Sequence, residues 1–493
     1  MIARVLLAVS TTVLLVVVFE GGARLYEGHP PWETELAAKR PGILRIAVVG
    51  GSSARGLPVP ELGFAAQLES LLAPLAGFRS VEVVNRGKQG KASRWVRRAG
   101  AHALSAGELD ALIVLTGHNE FLNRSGENWA LEGWIWEGML HSALIRLVLG
   151  AVEGPRPALP ERLYAVDRES AWFEARLEGY RQNLAALVSD ARQQGVPVLL
   201  LTAPMNLADW PPVHNDLAWD HVDPDYDAHV AELEALVRAG DLDAAERMAA
   251  GWRQEFGEDA MFSFLEGQVA RGRGDFAGAQ RLLQRAVDLD PYPWRALSEQ
   301  NAFIRELAED EGVHLVDTEA AFARETPGGL VGFDLIGDNV HPTPLGSALM
   351  ALEVLHGLRR VGLPLGESTT DPAEQLGRFL GELADLRKLE HLRLMLSGRY
   401  AMKTPFYLWE YARGYLEAAH ALAPEEWMGL ANLGSLSLLE GRTEEGLGHL
   451  RRAAGLRGEP VDPESRHSVP MLGVALEQAG LPVRAIEAMP VPK

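Results

Sequence analysis

The sequence predicts an α/β domain whose parallel sheet is covered on both faces, with all-helical blocks inserted in it and following it. Three observations carry this. From Leu44 onward, short apolar strands alternate with segments of helical periodicity. Ala111 to Leu115 is an unbroken apolar run, the pattern of a strand buried on both sides. Between residues 226 and 291 a motif returns after 34 residues, with Gly240 matching Gly274 and Ala245 matching Ala279.

The elements follow in order. Leu44 to Val49 reads as the first strand and ends in the turn Gly50-Gly51-Ser52-Ser53, whose two glycines are expected to permit a tight turn with unusual backbone angles. Leu62 to Leu75 carries apolar residues at helical spacing, and Val81 to Val84 is a second short strand. A helix is expected from Ser93 to Leu104, the third strand at Ala111–Leu115, and a long helix from Ala171 to Gln194. Val196 to Leu201 and Val313 to Val316 complete five strands, with helices at Glu299–Asp310 and Leu345–Leu358. The interrupting block holds two related helical hairpins, Ala239-Gly240-Asp241-Leu242 recurring as Arg273-Gly274-Asp275-Phe276, and Asp290-Pro291 closes the second. Its period and small residues resemble tetratricopeptide repeats. A second helical block begins near Asp371, where Leu433-Gly434, Gly441, Gly446, Leu450 and Ala453 follow repeat spacing, with Gly473, Gly480 and Ala485 as a degenerate further copy. The expected boundaries are 25–215 and 293–362 for the two parts of the α/β domain, 216–292 for the insertion and 371–493 for the C-terminal block.

At 493 residues the chain exceeds one compact core. A formal charge of −20 excludes a general nucleic-acid binder, which needs a basic footprint. The absence of cysteine excludes thiol nucleophiles, Cys-ligated zinc and disulfides. Residues 1–24 differ from the rest: Arg4 precedes an apolar run from Val5 to Phe19, closed by Glu20. The run is shorter than the roughly 20 residues of a spanning helix, but reaches back to Ile2 if Arg4 snorkels. An uncleaved inner-membrane anchor is the favoured reading, with the body in the periplasm or outside the cell. The alternative is a secretory signal cut near Gly21-x-Ala23.

Four strings carry chemistry: the Ser52 turn, Asn85-Arg86-Gly87-Lys88-Gln89-Gly90 after the second strand, Gly117-His118-Asn119-Glu120 after the third, and Asp338-Asn339-Val340-His341 after the fifth. In a parallel sheet all four open at the carboxyl edge, where ligands bind. A hydroxyl needs a base to become a nucleophile. His341 is the candidate base for Ser52, and Asp338 is placed to fix its tautomer. Ser53 is a competing nucleophile. Attack on an ester carbonyl makes an oxyanion, for which the Ser52 and Gly90 N–H groups and the Asn119 amide are candidate donors.

The four strings resemble the blocks of the SGNH/GDSL hydrolase superfamily, with Ser52, Gly90, Asn119 and His341 on its four named positions and Asp338 on its acid. The resemblance covers about 25–215 and 293–362. It implies a flavodoxin-like α/β/α sandwich and a serine esterase or acyltransferase that needs no metal or other cofactor. Two departures, Gly-Gly-Ser-Ser for Gly-Asp-Ser-Leu and Glu120 where many members carry Asp, look like a subgroup of membrane-anchored bacterial members with tetratricopeptide repeats.

Asp223, Asp225, Asp227 and Glu234 partly match a calcium loop, but Ala228 stands where a Gly is needed, and a helix start explains them better. His214, His221 and His229 are too irregular for a zinc site. Trp129, Trp134 and Trp136, with Leu140 to Leu149, form an apolar insertion suited to a lid, an acyl-binding wall or packing. Asn206, after the fourth strand, is a candidate substrate contact. The sequence thus points to a hydrolase of small-molecule or glycan-linked esters in the cell envelope. The alternatives are an O-acyltransferase acting on an envelope polysaccharide, and a repeat scaffold that binds a protein partner and keeps a residual site.

Overall fold

A computed structural model describes residues 38–75, 78–122, 166–213, 225–310, 312–366, 370–383, 385–402, 408–462, 469 and 471–481. The expected anchor at 1–24, the Trp129 to Leu149 insertion, His214, His221 and Asp223 lie outside them. Among the described residues no helix is long and apolar enough to cross a membrane.

Five strands form the sheet: β1 Ile43–Gly50, β2 Ser80–Asn85, β3 Ala111–Leu115, β4 Val198–Leu201 and β5 Val313–Val316. Their order is β2-β1-β3-β4-β5 and every neighbouring pair is parallel. This is the flavodoxin-like order, in which the chain reverses direction across the sheet between β1 and β3. Gly50 pairs with Leu115 and Val48 with Asn85, so the loops after β1, β2 and β3 leave from one edge side by side.

Residues of β1 alternate between two cores, as strand geometry requires. Leu44, Ile46 and Val48 face the layer formed by α2 (Phe64–Leu72) and α11 (Pro344–Arg360). Ala47 and Val49 face α3 (Ser93–Gly107), α4 (Ala171–Gln193) and α9 (Ser298–Leu307). The sheet is therefore the middle of three layers. Two short helices were not legible: α1 (Ser52–Arg55), which follows β1 directly, and α10 (Thr318–Arg324), capped by Asp317 through the Ala320 N–H.

The insertion is two hairpins, α5 (Tyr226–Ala239) with α6 (Leu242–Phe256) and α7 (Ala260–Gly272) with α8 (Phe276–Leu289). The 34-residue repeat has a local cause. Gly240 and Gly274 adopt left-handed φ of 75° and 77°. The next residues, Asp241 and Asp275, cap the following helix by accepting from Ala244 N–H and Gly278 N–H. Trp252 stacks on Phe262 at 3.8 Å between the two hairpins. Their core is continuous with that of α2 and α11, so the insertion is built onto the α/β domain.

The C-terminal block comprises α12 (Pro372–Glu382), α13 (Leu386–Ala401), α14 (Trp409–Leu422), α15 (Trp427–Leu439), α16 (Thr443–Arg457) and α17 (Leu472–Gln478). Glycines let its helices cross closely: a β-carbon at Gly398 would come within 2.7 Å of Leu416, and one at Gly434 within 2.8 Å of Leu450. Its core takes in Trp210 and Val213 from beyond β4 and Tyr292 from beyond α8. The block therefore shares side chains with the α/β domain.

Candidate active site

Ser52 is the first residue of α1, at the carboxyl end of β1, and is buried. Its N–H belongs to the helix start and has no intrahelical acceptor. The two preceding glycines are required by crowding. A β-carbon on Gly50 would stand 2.1 Å from the Leu115 carbonyl oxygen, and one on Gly51 would stand 2.5 Å from Asn119 Nδ2. Gly51 has an ordinary φ of −82°. The expectation of unusual backbone angles at this turn is thereby corrected: the glycines make room for β3 and for Asn119.

The loop after β2 continues along β1 toward the nucleophile, with Arg86 N–H donating to Val48 O (2.7 Å) and Lys88 N–H to Gly50 O (3.1 Å). Asn85 closes α1 from below, its Nδ2 donating to Ala54 O at 2.9 Å while its Oδ1 accepts from Gly87 N–H at 2.8 Å. Gly90 has a φ of 67° and open space where a side chain would project. Asn119 is buried, and its Nδ2 donates to Lys91 O at 3.2 Å while lying against Gly51. Of the three expected oxyanion donors, Ser52 opens α1 and Asn119 lies against Gly51 just before it, while Asn119 also bonds Lys91, the neighbour of Gly90.

Glu120 locks this arrangement. Its carboxylate accepts from Ser93 N–H (2.9 Å) and Ser93 Oγ (3.0 Å), capping α3 from another loop, and Asn183 Nδ2 donates to the same hydroxyl. Burial pushes the Glu120 carboxyl up, opposed by the Ser93 N–H and the charge of Arg176.

Asp338 and His341 lie in a tight loop closed by an antiparallel bridge between Ile336 and Pro342. Asp338 Oδ1 accepts from Val340 N–H (2.9 Å) and His341 N–H (2.8 Å), and Oδ2 pairs with His341 Nδ1 at 2.6 Å. Burial alone would raise the Asp338 carboxyl; the charge and hydrogen bonds of His341 and the Val340 N–H outweigh it and hold it below the ordinary carboxylate range. With Nδ1 bound to the carboxylate, the lone pair of His341 falls on Nε2, which is buried and has no hydrogen-bond partner among the described residues. Thr343 then caps α11 at Gly346 N–H, with Pro344 in the first turn.

Nucleophile turn and base loop meet through Ser53, whose Oγ donates to Val340 O at 3.0 Å. Ser53 is the neighbour of Ser52, and Val340 the neighbour of His341. No hydrogen bond joins Ser52 to His341 Nε2 directly, the common state of a catalytic pair without substrate.

Asn206, expected to touch substrate, does other work. It has no exposed surface. Its Oδ1 accepts from Asp209 N–H (2.9 Å) and Trp210 N–H (3.1 Å), its N–H donates to Asn339 O (3.0 Å) and its Nδ2 to Ile336 O (3.3 Å). It ties the loop after β4 to the loop of the base. Arg295, buried in a pair with Asp290, holds the same turn through the Asn206 and Trp210 carbonyls.

Other groups at the site were not singled out by sequence. His118 is buried beside the pair, accepts from Ala296 N–H through Nδ1 (3.1 Å), and is pushed down to about 3 by burial and by the charge of His341. Nothing in its spacing marked it apart from its place in the Gly117 to Glu120 string. Tyr400 and Tyr415, described below, come from the C-terminal block and carried no signal. Around Asp225 and Asp227 the chain enters α5, and Tyr226 Oη donates to Asp259. Among the described residues no three His, Asp or Glu side chains form a metal-binding group.

No family model matches the chain, and no curated protein matches it. Several solved structures align with much of the chain. A GDSL-like lipase from Bacteroides thetaiotaomicron VPI-5482 is 12% identical over 70% of this chain and 99% of its own, with a TM-score of 0.32. A catalytic mutant of an acetylxylan esterase from Geobacillus stearothermophilus is 15% identical over 66% and 97%, with a TM-score of 0.32. A psychrotrophic esterase from Pseudoalteromonas sp. is 11% identical over 64% and 97%, with a TM-score of 0.29.

Proposed function

We propose that this chain is a serine hydrolase of carboxylic esters, tethered to the inner membrane by residues 1–24 with its body exported. The carrying observation is the Asp338–His341 pair: a buried carboxylate on Nδ1 at 2.6 Å, a base nitrogen left without a partner among the described residues, and the turn of Ser52 hydrogen-bonded to the same loop. The resemblance of the four ordered strings to SGNH/GDSL hydrolases supports the same reading.

In this mechanism Ser52 Oγ attacks the ester carbonyl carbon as its proton passes to His341 Nε2. Asp338 keeps the imidazole in the required tautomer and stabilises the imidazolium. The negative charge that develops on the carbonyl oxygen is met by the Ser52 and Gly90 N–H groups and by Asn119 Nδ2. The intermediate collapses, and His341 returns its proton to the departing alkoxide. A water then attacks the acyl–Ser52 ester as it gives one proton to His341, which returns that proton to Ser52 Oγ as the carboxylic acid leaves.

Labelling with a fluorophosphonate, followed by peptide mapping, tests the nucleophile. The modified peptide is expected to contain Ser52, and turnover of p-nitrophenyl acetate is expected to vanish in Ser52→Ala. Wild-type turnover in that variant would remove the assignment. Asn119→Ala is expected to fold and to lose roughly a hundredfold to a thousandfold in kcat, the usual cost of one oxyanion donor.

A further inference from the structure

The segment from Phe333 to His341 is held from outside by the C-terminal block. Tyr415, on α14, donates its hydroxyl to Gly337 O at 2.5 Å, one residue before the acid. Its ring meets Phe333 edge-on at 6.0 Å, and Tyr411 packs on the same Phe333 at 4.8 Å. Tyr400, at the end of α13, sets its ring edge-on to the His341 imidazole, with centroids 6.3 Å apart and planes at 76°. Its hydroxyl lies near the side chain of Asn339, and its other side stacks on Trp210 at 6.0 Å. Gly337 also faces Arg393 of α13, whose Nη1 lies 3.5 Å from where a β-carbon would be.

These contacts fall on residues 337, 339 and 341, on either side of Asp338 and Val340. The loop is short, and its acid and base need a fixed separation for the 2.6 Å bond. An imidazole can swing about its χ angles unless something packs against it. On the described residues, the ring against His341 is that of Tyr400.

We propose that Tyr400 and Tyr415 are positioning residues for the Asp338–His341 pair, so that the C-terminal helical block is a working part of the catalytic unit. The kinetic arm of this inference rests on the proposed esterase activity; the spectroscopic arm does not.

The test compares Tyr415→Phe, Tyr400→Phe and Tyr400→Leu in the full chain, with Tyr411→Phe as control. The short Nδ1–H bond to Asp338 should give a low-field proton resonance, assigned by its loss in His341→Ala. Tyr415→Phe removes one hydrogen bond to the loop, and Tyr400→Phe removes the hydroxyl near Asn339 while keeping the ring edge. Each should lower kcat about threefold to tenfold, with KM within about twofold. Tyr400→Leu loses the ring as well and should fall further, by about tenfold or more. In the same order the low-field resonance should shift or broaden, while the fraction of molecules labelled by fluorophosphonate stays constant. Tyr411→Phe should change nothing.

An unchanged resonance and kcat within twofold in the folded Tyr400 and Tyr415 variants would overturn the inference. A loss of labelled fraction that accounts for the whole fall in rate would also overturn it, because the tyrosines would then serve stability alone. If wild type shows the resonance but cleaves no ester, the activity reading fails, and the resonances of the variants still decide the positioning role. If Tyr400→Leu does not fold, the two Phe variants decide.

Discussion

Two neighbouring hydroxyls end β1, and their partners separate them. Ser53 Oγ gives its proton to Val340 O at 3.0 Å. Ser52 stands at the helix start, next to the Gly51 that packs on Asn119. Ser53→Ala should therefore keep hydrolysis within a few-fold of wild type and lose about 1 kcal/mol of stability, the net worth of one hydrogen bond. Urea midpoints and ester turnover on the same preparation check both halves, and a dead Ser53→Ala beside an active Ser52→Ala would reverse the assignment. Asp338→Asn should be more severe. An amide cannot stabilise the imidazolium, and rate losses near 10⁴ are typical of that change in a triad. At this scale the sequence was legible wherever chemistry restricts residue type: a hydroxyl, an imidazole and a carboxylate are few and sit at strand ends. It was opaque where a residue serves through shape or through a fully internal bond. Gly50 and Gly51 make room rather than bend the chain, and Asn206 looks like any polar residue on a catalytic edge until its partners are known.

Elements, rather than single residues, bring the donors together, and Glu120 is the joint. The start of α3 has no cap from its own N-cap residue, Ala92. The carboxylate of Glu120, in the loop after β3, supplies it, and so fixes the loop of Gly90 against the loop of Asn119. Glu120→Gln keeps an oxygen for the Ser93 N–H but turns an amide donor on the Ser93 hydroxyl, so two charge-assisted hydrogen bonds become neutral ones. The expected cost is about 2 kcal/mol, within the range for hydrogen bonds to a charged group. Ester turnover should fall as well, because Asn119 is its chain neighbour. Chemical denaturation and kcat together test this; a stable variant with full turnover would show that the joint is dispensable. The strands were legible because each is a short and mostly apolar segment, unbroken in β3 and β4, and β3 and β5 match their expected ends. The expected start of β4 at Val196 shifts to Val198, since Pro197 has no N–H for the ladder. The hairpins were legible through two repeated Gly-Asp pairs that make the same turn and cap. The docking of α13 and α14 on the base loop was not, since no periodicity relates Tyr400 or Tyr415 to Gly337 and His341.

On the scale of the whole molecule, the fold buries ionisable groups around the site, and this gives stability a pH dependence that can be dissected. His118 has its proton affinity pushed down to about 3, first by burial and then by the charge of His341. Below its ordinary value of 6.5 the unfolded chain takes up a proton that the folded chain refuses. Its contribution is therefore fully present above pH 6.5 and is lost as pH falls toward 3, by at most about 1.4 kcal/mol per unit. Asp290 runs the other way. Burial, opposed by Arg295, raises its carboxyl from 3.8 to about 7, so acidification between those values favours the folded state. The two effects oppose each other where they overlap, and the wild-type profile alone cannot assign either. His118→Asn separates them: the amide oxygen can still accept from Ala296 N–H, but nothing titrates. Whatever constant offset the substitution brings, the stability of the variant relative to wild type should rise as pH falls from about 6.5 to 4.5. Denaturation midpoints of both proteins at half-unit intervals measure this difference directly. A gap that stays constant across the range would mean that His118 is not held neutral by the fold, and that its burial beside Asp338 and His341 is relieved in solution.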